Sequence, residues 1–545
     1  MQGLMQNKQL LISSLIEHAG LNHPDVELIS RTCEGTIHRS NYAILRKRAK
    51  QLAKALLELG IQRGERVGTL AWNTYRHQEL YFAVPGTGAV LHTINPRLFS
   101  DQIEYIINHA EDTVLFFDIS FRALLVSLLP KLTHVRAFIA LTDREHLPED
   151  IPNCISYEEL LIKQDDQYEW PEFDENQAAS LCYTSGTTGS PKGVLYSHRS
   201  TILHAFTVCT VDGLQLSRKD SVLLAVPMFH VNAWGFPYAA AMCGAKVCFP
   251  ASQIDATSLC ELAEQEQCTM SIGVPTVWLS FMDYLERYPE RRVGLNINRI
   301  VMGGSATPRN LIDRIHHNLK AKTIQAWGMT ETSPMGTIGN LLPEHEVLEQ
   351  SKRFDIQAQQ GRAIYGVEMR VVDDHGEILP RDGQTVGHLQ VRGPWIISTY
   401  FKAEEKNILD KDGWFSTGDI ACISMQGYLQ ITDRSKDVIK SGGEWISSID
   451  LENTAVAHPA IQEAAVIGLY HSKWQERPLL VAIKRPGMKV DEKELIHFLS
   501  SRVAKWWLPD DVVFVNSLPH TATGKLQKNI LREQFKDFVF SSERL

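Results

Sequence analysis

The sequence predicts an α/β protein of at least two domains, built mainly on a parallel, doubly wound sheet. Three observations point to it. The chain is 545 residues long, beyond what one hydrophobic core organises. Strand-like runs at 222–226, 246–249, 269–273, 299–302 and 323–327 alternate with helical stretches, the rhythm of right-handed crossovers. Beyond Asp433 a separate mixed pattern begins, with strands at 466–469, 480–483 and 512–515 and a helix at 492–499, the size of a small domain.

Each element has a local reason. Leu45, Ala49, Leu52, Ala53 and Leu56 fall on one face of a helix that Gly60 ends. The run 114–118 suits a buried strand. From 361 to 401 the pattern shortens to strands joined by Gly-containing turns such as D-D-H-G-E at 373–377, which predicts a small antiparallel unit.

Composition narrows the class. Hydrophobic and charged fractions of 44% and 22% are ordinary for a globular enzyme. A net charge of −9 argues against a nucleic-acid partner, which needs a basic footprint. It is compatible with a phosphate ligand, since backbone N–H groups and a few cations suffice. Nine scattered cysteines without a C-x-x-C pair read as thiols in a reducing compartment, and no structural zinc site is expected. The apolar stretch at 10–16 is short, interrupted by Ser13 and Ser14 and followed by Glu17, unlike a secretory signal. No run reaches membrane-spanning length. The expectation is a cytoplasmic protein without a transmembrane segment, weak membrane contact being left open.

The strongest local signal is Y-T-S-G-T-T-G-S-P-K-G at 183–193, after a strand-like run. Its glycines, Gly186 and Gly189 among them, let backbone approach an anion. Thr184, Ser185, Thr187 and Thr188 offer hydroxyls and Lys192 a positive charge. Pro191 before the lysine separates it from the G-x-x-x-x-G-K-[ST] loop. Alone, the stretch also reads as a surface loop of small polar residues.

Four further motifs follow in order: Q-A-W-G-M-T-E-T-S-P at 325–334, S-T-G-D-I at 416–420, D-R-S-K-D-V-I-K-S-G-G-E at 433–444 and P-H-T-A-T-G-K at 519–525. With the loop they make the chain resemble the adenylate-forming superfamily of acyl-CoA synthetases, luciferases and peptide-synthetase adenylation domains. The resemblance is nearest to bacterial medium- and long-chain fatty acyl-CoA synthetases, S-G-G-E-W-I-S at 441–447 included. It implies a large N-terminal domain, 1–433, of two doubly wound sheets plus a small β unit, and a mobile C-terminal α+β domain, 434–545. It also implies a homodimer.

The resemblance assigns roles residue by residue. Thr184, Ser185, Gly186, Thr187, Thr188, Gly189 and Lys192 would cradle phosphates. Gly304, Ser305 and Ala306 would flank the adenine, with Trp327 and Gly328 against its ring. The family more often has tyrosine at Trp327; stacking survives that change, and a phenolic hydrogen bond is lost. Thr330 would meet the α-phosphate, and Glu331 with Thr184 a magnesium ion. Asp419 would accept from the ribose hydroxyls, assisted by Arg434. Lys525 would bridge the carboxylate and α-phosphate as two anions approach. Each piece alone has a plain reading: a core tryptophan, a turn, a surface ion pair, a solvated lysine.

For the acid, P-M-F-H-V-N-A-W-G-F-P-Y at 227–238 resembles the family's carboxylate-pocket segment. His230 and Trp234, four apart, are expected on one helix face, with Val231, Gly235 and Gly303 bounding the acyl pocket; a packed aromatic helix is the alternative. No charged side chain other than His230 is present to recognise an α-amino group, which weakens the peptide-synthetase reading. For the thiol, the resemblance implies rotation of the C-terminal domain about Lys436, presenting Lys440, Gly442, Gly443 and Trp445 to coenzyme A. The expected activity is ATP-dependent formation of acyl-CoA from a fatty acid through acyl-AMP, with Lys525, Thr184, Glu331 and Lys440 catalytic. A fatty acyl-AMP ligase loading a carrier protein and an inactive nucleotide-binding scaffold are the rivals; an aromatic-acid ligase or luciferase-like oxygenase is a further alternative.

Overall fold

The computed structural model describes residues 1, 3–184, 191–404, 407–441, 444–520 and 526–543, without the side chains of Glu444, Trp445 and Glu543. Three sheets organise the described residues. The first has seven strands, in spatial order Cys154–Ser156, Ala137–Ala140, Asp112–Phe117, Arg66–Leu70, Val90–Thr93, Ala178–Tyr183 and Gly193–Ser197. All neighbours run parallel except the last pair. That antiparallel pair is joined by the 184–192 connection, so the phosphate-loop motif leaves and re-enters the sheet at one end. Val90–Thr93 is buried along its whole length, as expected for a strand covered on both faces. The helix Tyr42–Glu58 buries Leu45, Ala49, Leu52, Ala53 and Leu56. Asn41 caps its start by accepting from Ile44 N–H, and Gly60 at φ +75° turns the chain away.

The second sheet has thirteen strands. From Glu27–Arg31 it runs parallel through Lys246–Phe249, Ser221–Leu224, Met270–Gly273, Arg299–Met302 and Lys322–Gly328. It then continues antiparallel through Met335–Ile338, Gly361–Ala363, Tyr428–Arg434, Phe415–Ile423, Gly387–Arg392 and Glu368–Val372. The small antiparallel unit is therefore the far half of this sheet, not a separate layer. The hairpin between Lys322–Gly328 and Met335–Ile338 makes it continuous. One apolar core joins both large sheets, with Leu91 and Phe116 from the first and Val222, Phe249 and Ile272 from the second.

The smaller C-terminal domain carries Ile439–Ser441, Glu444–Ile446, Ile461–His471, Gln475–Lys484 and Asp511–Phe514 in its own sheet. Along Ile461–His471, Ala464 and Val466 face one core while Ala465, Ile467 and Leu469 face another, the two-residue period of a strand sandwiched between helices. Among the described residues, no helix is long and apolar enough to cross a membrane.

Asn73, 3% exposed, ties the two large sheets together just beyond the strand Arg66–Leu70. Its Nδ2 donates to the carbonyls of Leu224 and Val226 at 2.9 and 2.7 Å, and its Oδ1 accepts from Met228 N–H at 2.7 Å. Asn73→Ala strands these three buried groups, at about 1–3 kcal/mol for an unsatisfied group. Urea unfolding is expected to show a loss of about 2–4 kcal/mol; a loss below about 1 kcal/mol contradicts this account.

Candidate active site

The C-terminal ends of parallel strands are where such sheets expose backbone and place ligands. A cavity of about 650 Å³ opens there, between the large and small domains. Residues 303–306 follow the strand Arg299–Met302, and 327–331 end the strand Lys322–Gly328; all of them line the cavity. The opposite wall comes from 416–418, Arg434, Lys436 and the C-terminal residues Glu452, Glu463, Leu526 and Lys528.

Thr184 and Lys192 bring the two ends of the 183–193 motif to this cavity. Thr184 N–H donates to Lys192 carbonyl at 2.9 Å, closing the base of the loop. Ser185, Gly186, Thr187, Thr188 and Gly189 lie outside the described residues. The Lys192 ammonium sits 4.9 Å from the centre of the Tyr400 ring. The Tyr400 hydroxyl in turn donates to Glu331 Oε1 at 2.8 Å. Burial, with Glu331 beside it, pushes the Tyr400 phenol well above its ordinary value, so it remains a donor. Tyr196 hydroxyl donates to Thr330 carbonyl at 2.7 Å, and Ile397 N–H to Glu331 carbonyl at 2.8 Å. The short turn Thr330–Thr332 is thus pinned from three directions. Tyr196 and Tyr400 belong to no motif and were missed from sequence.

Asp419 is 1% exposed and lies behind Trp327 rather than on the cavity lining. Its Oδ1 meets Arg434 Nε at 2.8 Å and its Oδ2 accepts from the Trp327 indole N–H at 3.1 Å. Tryptophan in place of tyrosine therefore brings a hydrogen bond of its own to the carboxylate. The ring fits because residue 336 is glycine: a Cβ there would come within 2.4 Å of the indole.

The acid-pocket segment departs from expectation. Val231–Trp234 is a left-handed turn, with φ of 45°, 53°, 49° and 54°, not a right-handed helix presenting His230 and Trp234 on one face. Non-glycine residues resist this conformation by roughly 1–2 kcal/mol each because Cβ crowds the following carbonyl. His230, Val231 and Trp234 still line the cavity. Gly303 lies under the Trp234 ring, where a Cβ would stand 3.2 Å from it and 2.8 Å from Ala326 carbonyl. Gly235 does not bound the pocket. At φ +74° it packs on His204, whose Nδ1 a Cβ would meet at 2.7 Å. Burial pushes His204 down to about 4, so it is neutral there.

The two lysine motifs of the C-terminal domain are placed differently. Lys440 lies in the strand Ile439–Ser441, away from the cavity lining; its N–H donates to Glu476 at 2.8 Å, and Trp445 is its register partner. Gly442, Gly443 and Lys525 lie outside the described residues. Leu526, next in sequence to Lys525, lines the cavity and bridges to His520 at the base of the 521–525 segment. Lys436 lies in the turn between Tyr428–Arg434 and Ile439–Ser441, and it lines the cavity.

A buried polar cluster at the domain junction was also not foreseen. Asp433 Oδ2 accepts from Ser448 N–H and Oγ at 2.7 and 2.6 Å, and Lys528 pairs with Glu452 at 2.7 Å. Burial pushes Glu452 up to about 7, against the pull of Lys528.

His520 pairs with Glu463 at 2.5 Å, and the hydrogen bond to that carboxylate raises its pKa above the ordinary 6.5. The raised value means the pair adds stability fully below pH 6.5, and this is lost as pH rises through the folded-state pKa. In thermal melts, the deficit of His520→Ala relative to wild type is expected to be largest below pH 6.5 and to shrink above it. A deficit that grows with pH contradicts the assignment.

Comparison with known proteins agrees with this geometry. The model of the AMP-binding enzyme family matches residues 16–401, and that of the AMP-binding enzyme C-terminal domain matches 450–525. The chain is 48% identical to a 3-methylmercaptopropionyl-CoA ligase of Ruegeria lacuscaerulensis, over 98% of this chain and 99% of that one. It is 46% identical to a medium-chain-fatty-acid–CoA ligase of Ectopseudomonas oleovorans, over 99% of each. A solved anthranilate CoA ligase in complex with anthranoyl-AMP shares the fold, with a TM-score of 0.85 and 24% identity, over 96% of this chain and 97% of that one. The chain belongs to the AMP-binding enzyme family, within the adenylate-forming superfamily.

Proposed function

We propose that this acid–CoA ligase activates a medium- or long-chain fatty acid in two half-reactions. The carboxylate attacks the α-phosphorus of ATP, pyrophosphate leaves, and acyl-AMP remains. The thiol of CoA then attacks the acyl carbonyl, its proton is lost, and AMP leaves. One observation carries the reading. A single cavity presents Lys192, Thr330 and Glu331 to phosphates and also offers the apolar side chains of Leu214, Trp234, Leu279 and Val301 to an acyl chain.

In this reading Lys192 and the 184–189 segment hold phosphates, Trp327 stacks on the adenine, and Arg434, which lines the cavity and is held by the buried Asp419, faces the ribose. Magnesium fits at Glu331, with Thr184 at the same cavity. Among the described residues no three acidic, histidine or cysteine side chains converge, and one carboxylate plus substrate phosphates is the donor set this ion accepts. The ion would offset phosphate charge when bound.

We place the domain boundary between 433 and 434, with Lys436 as pivot. Leu526, next to Lys525, lines the cavity and Lys440 does not, which supports a domain that exchanges the two lysines between half-reactions. Lys525→Ala is expected to slow acyl-AMP formation by about 10²–10³-fold, while thioester formation from supplied acyl-AMP survives. Lys436→Pro, fixing φ near −65°, is expected to keep ATP–pyrophosphate exchange and lose most thioester formation. Equal loss of both half-reactions in either folded variant counts against these roles.

The kinship with a 3-methylmercaptopropionyl-CoA ligase favours a second reading, a short thioether acid. Pyrophosphate release over acids from acetate to palmitate and 3-methylmercaptopropionate, with and without CoA, separates the two. The fatty-acid reading expects kcat/KM to climb with chain length, since each buried methylene adds about 0.8 kcal/mol. A maximum at the thioether acid or at acetate overturns it.

A further inference from the structure

The turn that carries Trp234 is held from the other sheet. Asn232, 6% exposed, donates Nδ2 to Ser180 Oγ at 2.8 Å, and its Oδ1 accepts from Cys182 Sγ at 3.5 Å. Both partners belong to the strand Ala178–Tyr183 of the seven-stranded sheet. Ser180 is fully buried, and neither partner lines the cavity.

The turn's own sequence gives weak reason for its shape. Asparagine visits the left-handed region readily, whereas a β-branched valine and an alanine do not. Within the turn, the backbone adds Ala233 N–H to His230 carbonyl at 3.1 Å and Gly235 N–H to Asn232 carbonyl at 3.0 Å. A right-handed course for 231–234 would change how the chain enters the helix Phe236–Cys243 and re-aim the Trp234 ring, which now lies over Gly303. Such a strained segment persists only where its surroundings over-determine it, and the Asn232 side-chain amide is one polar tie from outside, beside the contacts of the Cys182 thiol with the backbone of Val231 and Asn232.

We propose that Asn232 is a positioning residue for acyl-chain selection. Clamped to Ser180 and Cys182, it keeps Val231–Trp234 left-handed and so holds the Trp234 indole over Gly303 at the cavity wall. The inference rests on the reading above that the acyl chain lies against Trp234. Selectivity among acids is then set partly by two residues, Asn232 and Ser180, of which the second lies wholly in the other sheet.

The test is kcat/KM for acids from acetate to palmitate, at saturating ATP and CoA, in full-length wild type, Asn232→Ala, Ser180→Ala, the double variant, and Asn232→Ala with Ala233→Gly. Each single variant is expected to change the ratio between the best and the shortest accepted acid by about tenfold. The KM for ATP is expected to move less than about threefold, and the double variant to match the singles. Glycine at 233 accepts the left-handed conformation without a Cβ, so it is expected to restore most of the wild-type ratio. Uniform loss across all acids, a silent Ser180→Ala, or no rescue by Ala233→Gly overturns the proposal. Should Asn232→Ala not fold, Ser180→Ala breaks the same bond from the opposite side and decides alone. A wild type inactive on every acid removes the proposed function and this inference together; an active wild type with unchanged variant profiles removes the inference only.

Discussion

The strand Lys322–Gly328 faces two ways. On one edge it pairs parallel with Arg299–Met302, and on the other antiparallel with Met335–Ile338. A parallel edge leaves strand C-termini and their unpaired backbone opening on one side of the sheet. An antiparallel edge sends the chain straight back and lets distant strands return across the same end. Trp327 sits at this change of direction, and its indole reaches Asp419, 92 residues further along. Asp419 is register partner to Arg434 on the neighbouring strand. The Trp327 ring, the buried carboxylate and the cation before the second domain are thus one mechanical unit, fixed by how a single strand is paired.

The second domain meets this unit at a buried polar cluster. Asp433, Ser448, Glu452 and Lys528 bury their polar groups against one another across the junction. Burying ions is costly unless each finds a partner, and here every charge has one. Within the cluster, then, buried polar groups are satisfied by one another rather than by solvent.

Much of the architecture was legible because buried parallel strands announce themselves. The runs 246–249 and 299–302 match the strands Lys246–Phe249 and Arg299–Met302 at both ends, since a short apolar run opened by a cation and closed by Pro250 or Gly303 leaves little choice. The strands Ile461–His471 and Gln475–Lys484 extend well past their apolar centres, because their tips carry polar residues such as Gln462 and Glu476 that pairing alone keeps extended. The Val231–Trp234 turn was misread for another reason. A left-handed turn has no periodicity of its own, and the residues that hold it, Ser180 and Cys182, lie some fifty positions away. Tyr196 and Tyr400 were invisible likewise, as each matters through one hydroxyl aimed at a distant backbone or carboxylate. The continuity of the antiparallel strands with the parallel ones depends on hairpin pairing at 328–335, which hydropathy does not encode.

Gly336 has a consequence for the paths along which this sequence can change. Its missing side chain is the space into which the indole of Trp327 fits, with a would-be Cβ only 2.4 Å from the ring. Packed interiors do not absorb an overlap of that size without displacing backbone. Substitutions at the two positions are therefore ordered in time. A chain with any side chain at 336 has to lose it before tryptophan can enter at 327, and a chain holding tryptophan at 327 cannot regain one until the ring shrinks. Drift at an otherwise unremarkable strand position is thereby locked to the residue at 327 on the cavity wall, and the two evolve as one character.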